Sequence, residues 1–243
     1  LVSFITCKRA IAVSNYAARI LTFNLPSFLK RKLHVVYHGA TPIIPSRSSD
    51  RVPGVDLLAV SDIYIQKNYH SLVEAFALIK SRHPALRLNI VGREIDNHYA
   101  ARIRSLVKKL GIDKDVQFMG HLGMSEIDDL YRSCLIFVFP SVVETFGNPL
   151  LEAMSAGAPI ACSATAAMPE VIGDAGLLFN PYDVKDIAAK IEQILADPDL
   201  QKSLGAKALL RSKQFTWKTT ADKTTAILRD SVNMKSLEKP HFR

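Results

Sequence analysis

The chain has 243 residues, a net charge of +8, 48% hydrophobic residues and 22% charged residues. Those proportions, with only 11 Gly and 12 Pro, are those of a globular protein and exclude a collagen, a disordered tail and a disulfide-framed miniprotein. No stretch approaches the ~18 apolar residues of a membrane span, and the length predicts one large domain with part of another.

Taken in chain order, residues 1–40 predict a strand at Ala10–Val13, a helix at Asn15–Thr22 and a strand at Leu33–Tyr37. That is too little chain to bury a core of its own, so it reads as the last piece of a preceding domain. The start at Leu1, with no basic-then-apolar leader pattern, reads as a fragment or a processed chain. Pro42, Pro45 and Pro53 among Ser and Arg predict an interdomain linker over 41–54.

From 55 to 215 strands and helices alternate. Strands are predicted at Val55–Val60, Leu86–Val91, Val116–Met119, Leu135–Phe139 and Pro159–Cys162. Helices are predicted at Tyr69–Lys80, Tyr99–Leu110, Ser125–Tyr131, Leu150–Ala156, Val184–Leu195 and Leu200–Ser212. The third of these helices is read as opened by a capping box of Ser125 with Asp128. Such alternation predicts βαβ units, and near-continuous apolar strands predict a parallel sheet covered on both faces. The fold class is therefore α/β, a doubly wound parallel sheet whose ligands sit beyond the C-terminal ends of its strands. A further helix is expected over 216–232 and a basic tail over 233–243.

The charge is uneven. Residues 1–51 carry +7, the tail from Asn233 carries +2, and the stretch between them carries −1. A nucleic-acid partner is not expected, because such binders carry their positive field on the folded domain. The basic N-terminal piece, with Phe23, Leu25, Phe28 and Leu29 beside Lys30, Arg31 and Lys32, is a candidate contact for an anionic membrane surface, although a solvated helix end has the same composition. Cys7, Cys134 and Cys162 have no metal-ligand spacing and read as thiols in a reducing compartment. The expected location is cytoplasmic, at the inner membrane face if the basic piece touches lipid.

Several motifs are missing. There is no Gly-x-Gly-x-x-Gly, Walker A loop or His-Glu-x-x-His. Asp113-Lys-Asp115 and Asp197-Pro-Asp199 sit where Asp serves turns and caps, so no metal is assigned to them.

The informative string is Pro140–Pro159. It follows a buried strand and opens a helix, with Pro149 suited to the first helical turn. Gly147 lets backbone approach a ligand, and the amides of Gly147, Asn148, Leu150 and Leu151 are expected to be free at the helix start, a diphosphate site. Glu144 and Glu152 are expected to share one cleft, where carboxylates accept hydrogen bonds from hydroxyls. The helix dipole favours Glu in a first turn regardless, so the pair alone decides little.

The whole string resembles the Glu-x7-Glu signature of retaining glycosyltransferases of GT-B architecture, family 4. Further resemblances follow in family order: Ala12-Val-Ser14 before a helix, Val35-Val-Tyr-His-Gly39 with His38 in an Asn place, Lys67-Asn68, Ile90-Val-Gly92, Val116-x-Phe118-x-Gly120, Pro169-Glu170-Val-x-Gly173 and Phe215-Thr-Trp217. The resemblance implies the Rossmann-like, C-terminal, donor-binding half of a GT-B fold, preceded by a remnant of the acceptor domain. It implies sugar transfer with retention from a nucleotide-diphosphate sugar to a saccharide or glycolipid acceptor, with no cofactor and no required metal. By resemblance Glu144 contacts the donor sugar, Lys67 neutralises the diphosphate, Glu152 binds ribose, and Gly147 and Asn148 hold donor oxygens. Gly92 borders the nucleotide, and Phe146 and Leu150 fall in the same donor turn. Where the family carries an Arg ahead of the Lys this chain has Asp62, so either Asp62 turns away or Arg93 substitutes. Two alternatives are an inactive nucleotide-sugar-binding module that needs a partner and a nucleotide-sugar epimerase of the same architecture.

Overall fold

The computed structural model describes residues 5–41, 43, 54 and 56–237. The first element group is a βαβ unit: β1 (Ala10–Ala12), α1 (Asn15–Leu21), α2 (Ser27–Lys30) and β2 (Leu33–Val35), with β1 and β2 paired in parallel. Ser14 caps α1 by accepting the Ala17 amide at 2.9 Å.

The main sheet has six parallel strands: β3 (Asp56–Val60), β4 (Arg87–Val91), β5 (Val116–Gly120), β6 (Ile136–Phe139), β7 (Ile160–Ser163) and β8 (Leu177–Phe179). Their spatial order is β5-β4-β3-β6-β7-β8. The order therefore reverses between β3 and β6, the crevice where doubly wound sheets bind ligands.

Helices cover both faces, as the apolar strands predict. On one side α3 (Tyr69–Lys80), α4 (Asn97–Lys109) and α8 (Val184–Leu195) bury Phe76, Ile103 and Ile191 against Leu57, Leu88 and Ile136. On the other, α5 (Met124–Ser133), α6 (Asn148–Ser155), α7 (Met168–Ile172) and α9 (Pro198–Ser212) bury Tyr131, Met154, Val171 and Ala208 against Leu58, Phe137 and Cys162. Successive strand residues point to opposite faces, so Leu57 and Leu58 serve different cores.

Some boundaries differ from expectation. Helix α5 starts at Met124 rather than Ser125: its N-cap is Gly123, whose amide donates to Glu126, so the expected Ser125–Asp128 box does not form. Helix α4 starts two residues early because Asp96 accepts the Tyr99 amide. Helix α7 and strand β8 were not expected, being too short to show a period. Helix α10 (Trp217–Leu237) runs past the expected end at 232. Most of the expected 41–54 linker, and the last six residues of the expected tail, lie outside the described residues. Asp197 and Asp183 are helix caps, accepting the amides of Leu200 and Lys185.

The N-terminal piece is docked on the main domain. Tyr37 packs against Phe146 and Phe215 at ring-centroid distances of 6.0 and 5.6 Å. The Ala40 amide donates to the Phe215 carbonyl, and the Thr220 hydroxyl of α10 donates to the Tyr37 carbonyl. Glu170 of α7 accepts from the amide and side chain of Asn15, the Tyr16 amide and the Tyr37 hydroxyl. All three cysteines are free thiols, with Cys134 and Cys162 buried.

Candidate functional site

The candidate site lies at the C-terminal edge of β3, β4 and β6. After β3 the chain makes a single 3-10 turn, Ile65–Lys67, and passes through Asn68 at φ 57° before α3 begins. Asn68 sustains this left-handed conformation by tying three segments: its amide nitrogen donates to the carbonyls of Pro140 and Pro181, and its oxygen accepts from Ser71. The neighbouring Lys67 is thereby held 7% exposed, beneath the loop that follows β6. That loop is fixed by the Val142 amide donating to Gln66 and by Thr165 donating to the Val142 carbonyl.

Across the crevice the Lys67 ammonium meets the Glu144 carboxylate at 2.5 Å. The ring centres of Tyr64 and Phe139 lie 5.2 and 5.9 Å from the same nitrogen. The ammonium is therefore flanked by π-faces as well as by a carboxylate.

Gly147 has φ +90°, which a side chain tolerates poorly, and a Cβ there would sit 3.4 Å from the Phe139 ring. This bend starts α6. The amides of Gly147 and Asn148 take no hydrogen bond among the described residues. The amides of Leu150 and Leu151, expected to be free, instead donate to the Gly147 carbonyl, because the helix begins at Asn148 and its first turn is already closed. Phe146 is also corrected: it is 2% exposed, packed among Tyr37, His38 and Phe215, so its side chain serves the seam with the N-terminal piece rather than the cleft.

Gly92 ends β4 at φ +149°, with its Cβ position 2.0 Å from the Ser61 carbonyl oxygen. Only glycine lets the ends of β3 and β4 approach so closely. Beside it Arg93 pairs with Asp62 through two side-chain contacts, at 3.2 and 2.8 Å, and donates its amide to the same carboxylate at 3.0 Å. Arg93, the expected substitute base, is thus paired with the Asp62 carboxylate. Hydrogen bonding to Arg93 holds the Asp62 carboxyl below its usual value despite partial burial, and Lys67 contributes in the same direction.

Glu152 lies in α6. It lines a cavity of about 210 Å³ with Asn148, Leu151, Met124, Ile127 and Trp217, and neither Lys67 nor Glu144 belongs to that lining. Its carboxylate accepts from the buried Tyr131 hydroxyl at 2.9 Å. Burial raises the Glu152 carboxyl above its ordinary value, the Tyr131 hydrogen bond opposes that, and Asp128 adds to it. Asn148, which lines the same cavity, shares a 2.8 Å hydrogen bond with His38 through its side-chain oxygen.

Sequence reasoning missed Tyr131 and gave no role to Glu170 or Ser14. Ser14 both caps α1 and donates to the Thr145 carbonyl beside Glu144 at 2.5 Å. Its capping position before a helix was the available signal. Among the described residues no cluster of three or more His, Cys, Asp or Glu could hold a metal ion.

Residues 49–211 match the family described as glycosyl transferases group 1. The chain belongs to this family. The serotype-specific mannosyltransferase WbdA of Escherichia coli is 32% identical over 199 residues, covering 82% of this chain and 24% of that protein. The O-antigen chain mannosyltransferase B of Escherichia coli is 34% identical over 163 residues, covering 65% of this chain and 42% of that protein. The chain thus spans less than half the length of these group 1 relatives. Among solved structures, Anabaena HepE in complex with UDP and glucose superposes with a TM-score of 0.84 at 20% identity, over 92% of this chain and 64% of that one. The C-terminal domain of a glycosyl transferase group 1 family protein from Francisella tularensis gives 0.61 at 24% identity, over 74% of this chain and 95% of that domain. These likenesses establish a shared fold, the Rossmann-like α/β domain expected for half of a GT-B glycosyltransferase.

Proposed function

We propose that this chain is the donor-binding half of a retaining, metal-independent glycosyltransferase of family 4 that takes a sugar, a hexose by analogy with its mannosyltransferase relatives, from a nucleotide-diphosphate donor. The observation that carries the reading is the Lys67–Glu144 pair at the β3–β6 switch point, beside the unbonded amides of Gly147 and Asn148. Breaking a glycosyl–phosphate bond builds positive charge on the sugar and negative charge on the leaving diphosphate. Lys67 and the two amides stabilise the diphosphate, and the Glu144 carboxylate stabilises the sugar centre once Lys67 turns to phosphate. In this reading the leaving group is neutralised without a metal ion.

Gly92 admits the nucleotide against the backbone, Glu152 accepts the ribose hydroxyls from the cavity beside Trp217, and Arg93 adds a cation near the diphosphate. The acceptor is a saccharide or glycolipid, with the basic N-terminal piece facing an anionic membrane. The UDP and glucose bound by Anabaena HepE, and the mannosyl transfer in the names of the Escherichia coli relatives, support a nucleotide-sugar donor and polysaccharide synthesis.

The test is a melting series with UDP, GDP, ADP, TDP and their sugar conjugates, with and without magnesium, and a Glu152→Ala control. At a hundred times its Kd a ligand adds about 2.7 kcal/mol, roughly 5–10 °C for a chain of this size. The expected result is a metal-independent shift with one nucleotide that the control loses. No shift with any of them in folded protein overturns the reading.

A further inference from the structure

The chain that carries Glu144 has to cross from β6 to α6 without regular structure. Its start is fixed by the two hydrogen bonds at Val142, and its end by α6, which begins at Asn148. Over 143–146, between those points, the backbone takes one hydrogen bond among the described residues: the Ser14 hydroxyl donates to the Thr145 carbonyl at 2.5 Å. Ser14 is fully buried, and its hydroxyl also accepts the Ala17 amide at 2.9 Å. Capping a helix asks only for an acceptor, which Asp or Asn supplies as well as Ser. The hydroxyl proton is left over from that task, and it goes to the loop that bears Glu144. A carboxylate in its place would have no proton to give. The other contacts from the N-terminal piece fall further along, with Tyr37 and His38 against the Phe146 ring and His38 on the Asn148 side chain.

We propose that Ser14 is a positioning residue of the donor turn. Its hydroxyl fixes the Thr145 peptide, and through it the place of Glu144 on one side and of the free Gly147 and Asn148 amides on the other. Without this tether the loop keeps backbone freedom that a ligand has to remove when it is gripped, and affinity falls by that share. Ser14 touches neither donor nor reacting atoms in this reading, and acts only through the loop.

The inference rests on the proposed donor reading for what the turn does, but the tether is read without nucleotide, so the two fail separately. Ser14→Gly removes the hydroxyl while glycine still serves as an N-cap, and Ser14→Thr keeps the hydroxyl. Both are compared with the parent by NMR of the isotope-labelled full chain. In Ser14→Gly the Thr145 carbonyl carbon is expected to move upfield as it loses its hydrogen bond, and the Phe146, Gly147 and Asn148 amides to be displaced. Ser14→Thr is expected to keep the parent's positions. The Asn15 and Tyr16 amides, which donate to Glu170, should stay protected from exchange in both variants, marking the N-terminal piece as still docked. The nucleoside diphosphate that raises the parent's melting temperature should bind Ser14→Gly about fivefold more weakly, the worth of one neutral hydrogen bond, and Ser14→Thr as tightly as the parent. Unmoved Gly147 and Asn148 amides in Ser14→Gly, or its parental affinity for that nucleotide, overturns the proposal. So does a loss in Ser14→Thr as large as in Ser14→Gly. Faster exchange at Asn15 and Tyr16 in Ser14→Gly overturns it too, making Ser14 a plain seam contact. If the parent binds no nucleotide the donor reading falls, and the spectra alone decide whether Ser14 holds the turn.

Discussion

The ammonium of Lys67 and the carboxylate of Glu144 touch at 2.5 Å although they come from loops after different strands, β3 and β6. Each neutralises the other, so a diphosphate has to compete with Glu144 for Lys67. This gives the two residues opposite effects on ligand binding. Lys67→Ala removes a charged hydrogen-bond donor and leaves Glu144 unpaired against phosphate, a loss of about 2 kcal/mol or roughly thirtyfold in Kd. Glu144→Gln releases Lys67 and removes the repulsion, so it should bind nucleoside diphosphate at least as tightly as the parent. Titration calorimetry reads both. Equal weakening would make the pair a structural tie rather than a donor clamp.

Glu152 predicts a pH effect. Its folded pKa is raised by burial, opposed by the Tyr131 hydrogen bond. A raised carboxyl contributes stability that is complete below its unfolded pKa and is lost as pH rises through the folded value. Glu152→Gln does not titrate, so relative to the parent it should gain stability between about pH 4 and pH 7. Urea unfolding at both pH values checks this, and a pH-independent difference would refute it. Tyr131→Phe removes the opposing bond, so the Glu152 pKa should climb further and the parent's pH slope should steepen.

Helices α3 and α8 were legible to the residue, because each is an amphipathic run of twelve residues with clear ends. Strand β8 and helix α7 hold three and five residues, too few for a period to rise above noise. The donor turn was legible as a string, but not its hydrogen bonds. Leu150 was expected to offer an amide, and the structure starts α6 early enough to consume it. The resemblance puts Phe146 in the donor turn, and only the arrival of Tyr37 and Phe215 from remote positions buries it. The pairings Lys67–Glu144 and Glu152–Tyr131 join separate βα units, and no local pattern encodes such contacts.

Asp62 stands where a base was expected, and its carboxylate both pairs with Arg93 and acts on Lys67. Asp62→Asn should release Arg93 and remove a negative charge beside the diphosphate position. Nucleoside diphosphate binding should tighten about threefold, with the gain shrinking at high salt because the groups are near the surface. Calorimetry at two salt concentrations decides it. Weaker binding in Asp62→Asn, matched by Arg93→Ala, would instead make Asp62 the residue that holds Arg93 in place.

Glu170 predicts how the N-terminal piece is held. Burial pushes its carboxyl up, but hydrogen bonds from Asn15, Tyr37 and Tyr16 outweigh this and leave the pKa below its ordinary value. Burial, with the same Glu170 contact adding to it, pushes the Tyr37 hydroxyl up to about 12. A depressed carboxyl contributes stability that is present above its unfolded pKa and lost as pH falls through the folded one. Docking should therefore weaken in acid. Glu170→Ala should cost about 2 kcal/mol, since hydrogen bonds to a charged group are individually worth ~1.5–3 kcal/mol but do not add. It should also flatten the acid response. Hydrogen exchange gives the local readout: the Asn15 and Tyr16 amides donate to this carboxylate and should exchange faster in the variant, while those of α3 stay protected. Unchanged exchange at Asn15 would mean that the seam is held without Glu170, by the Tyr37–Phe146–Phe215 packing and by the hydrogen bonds of Ala40, Thr220 and Ser14.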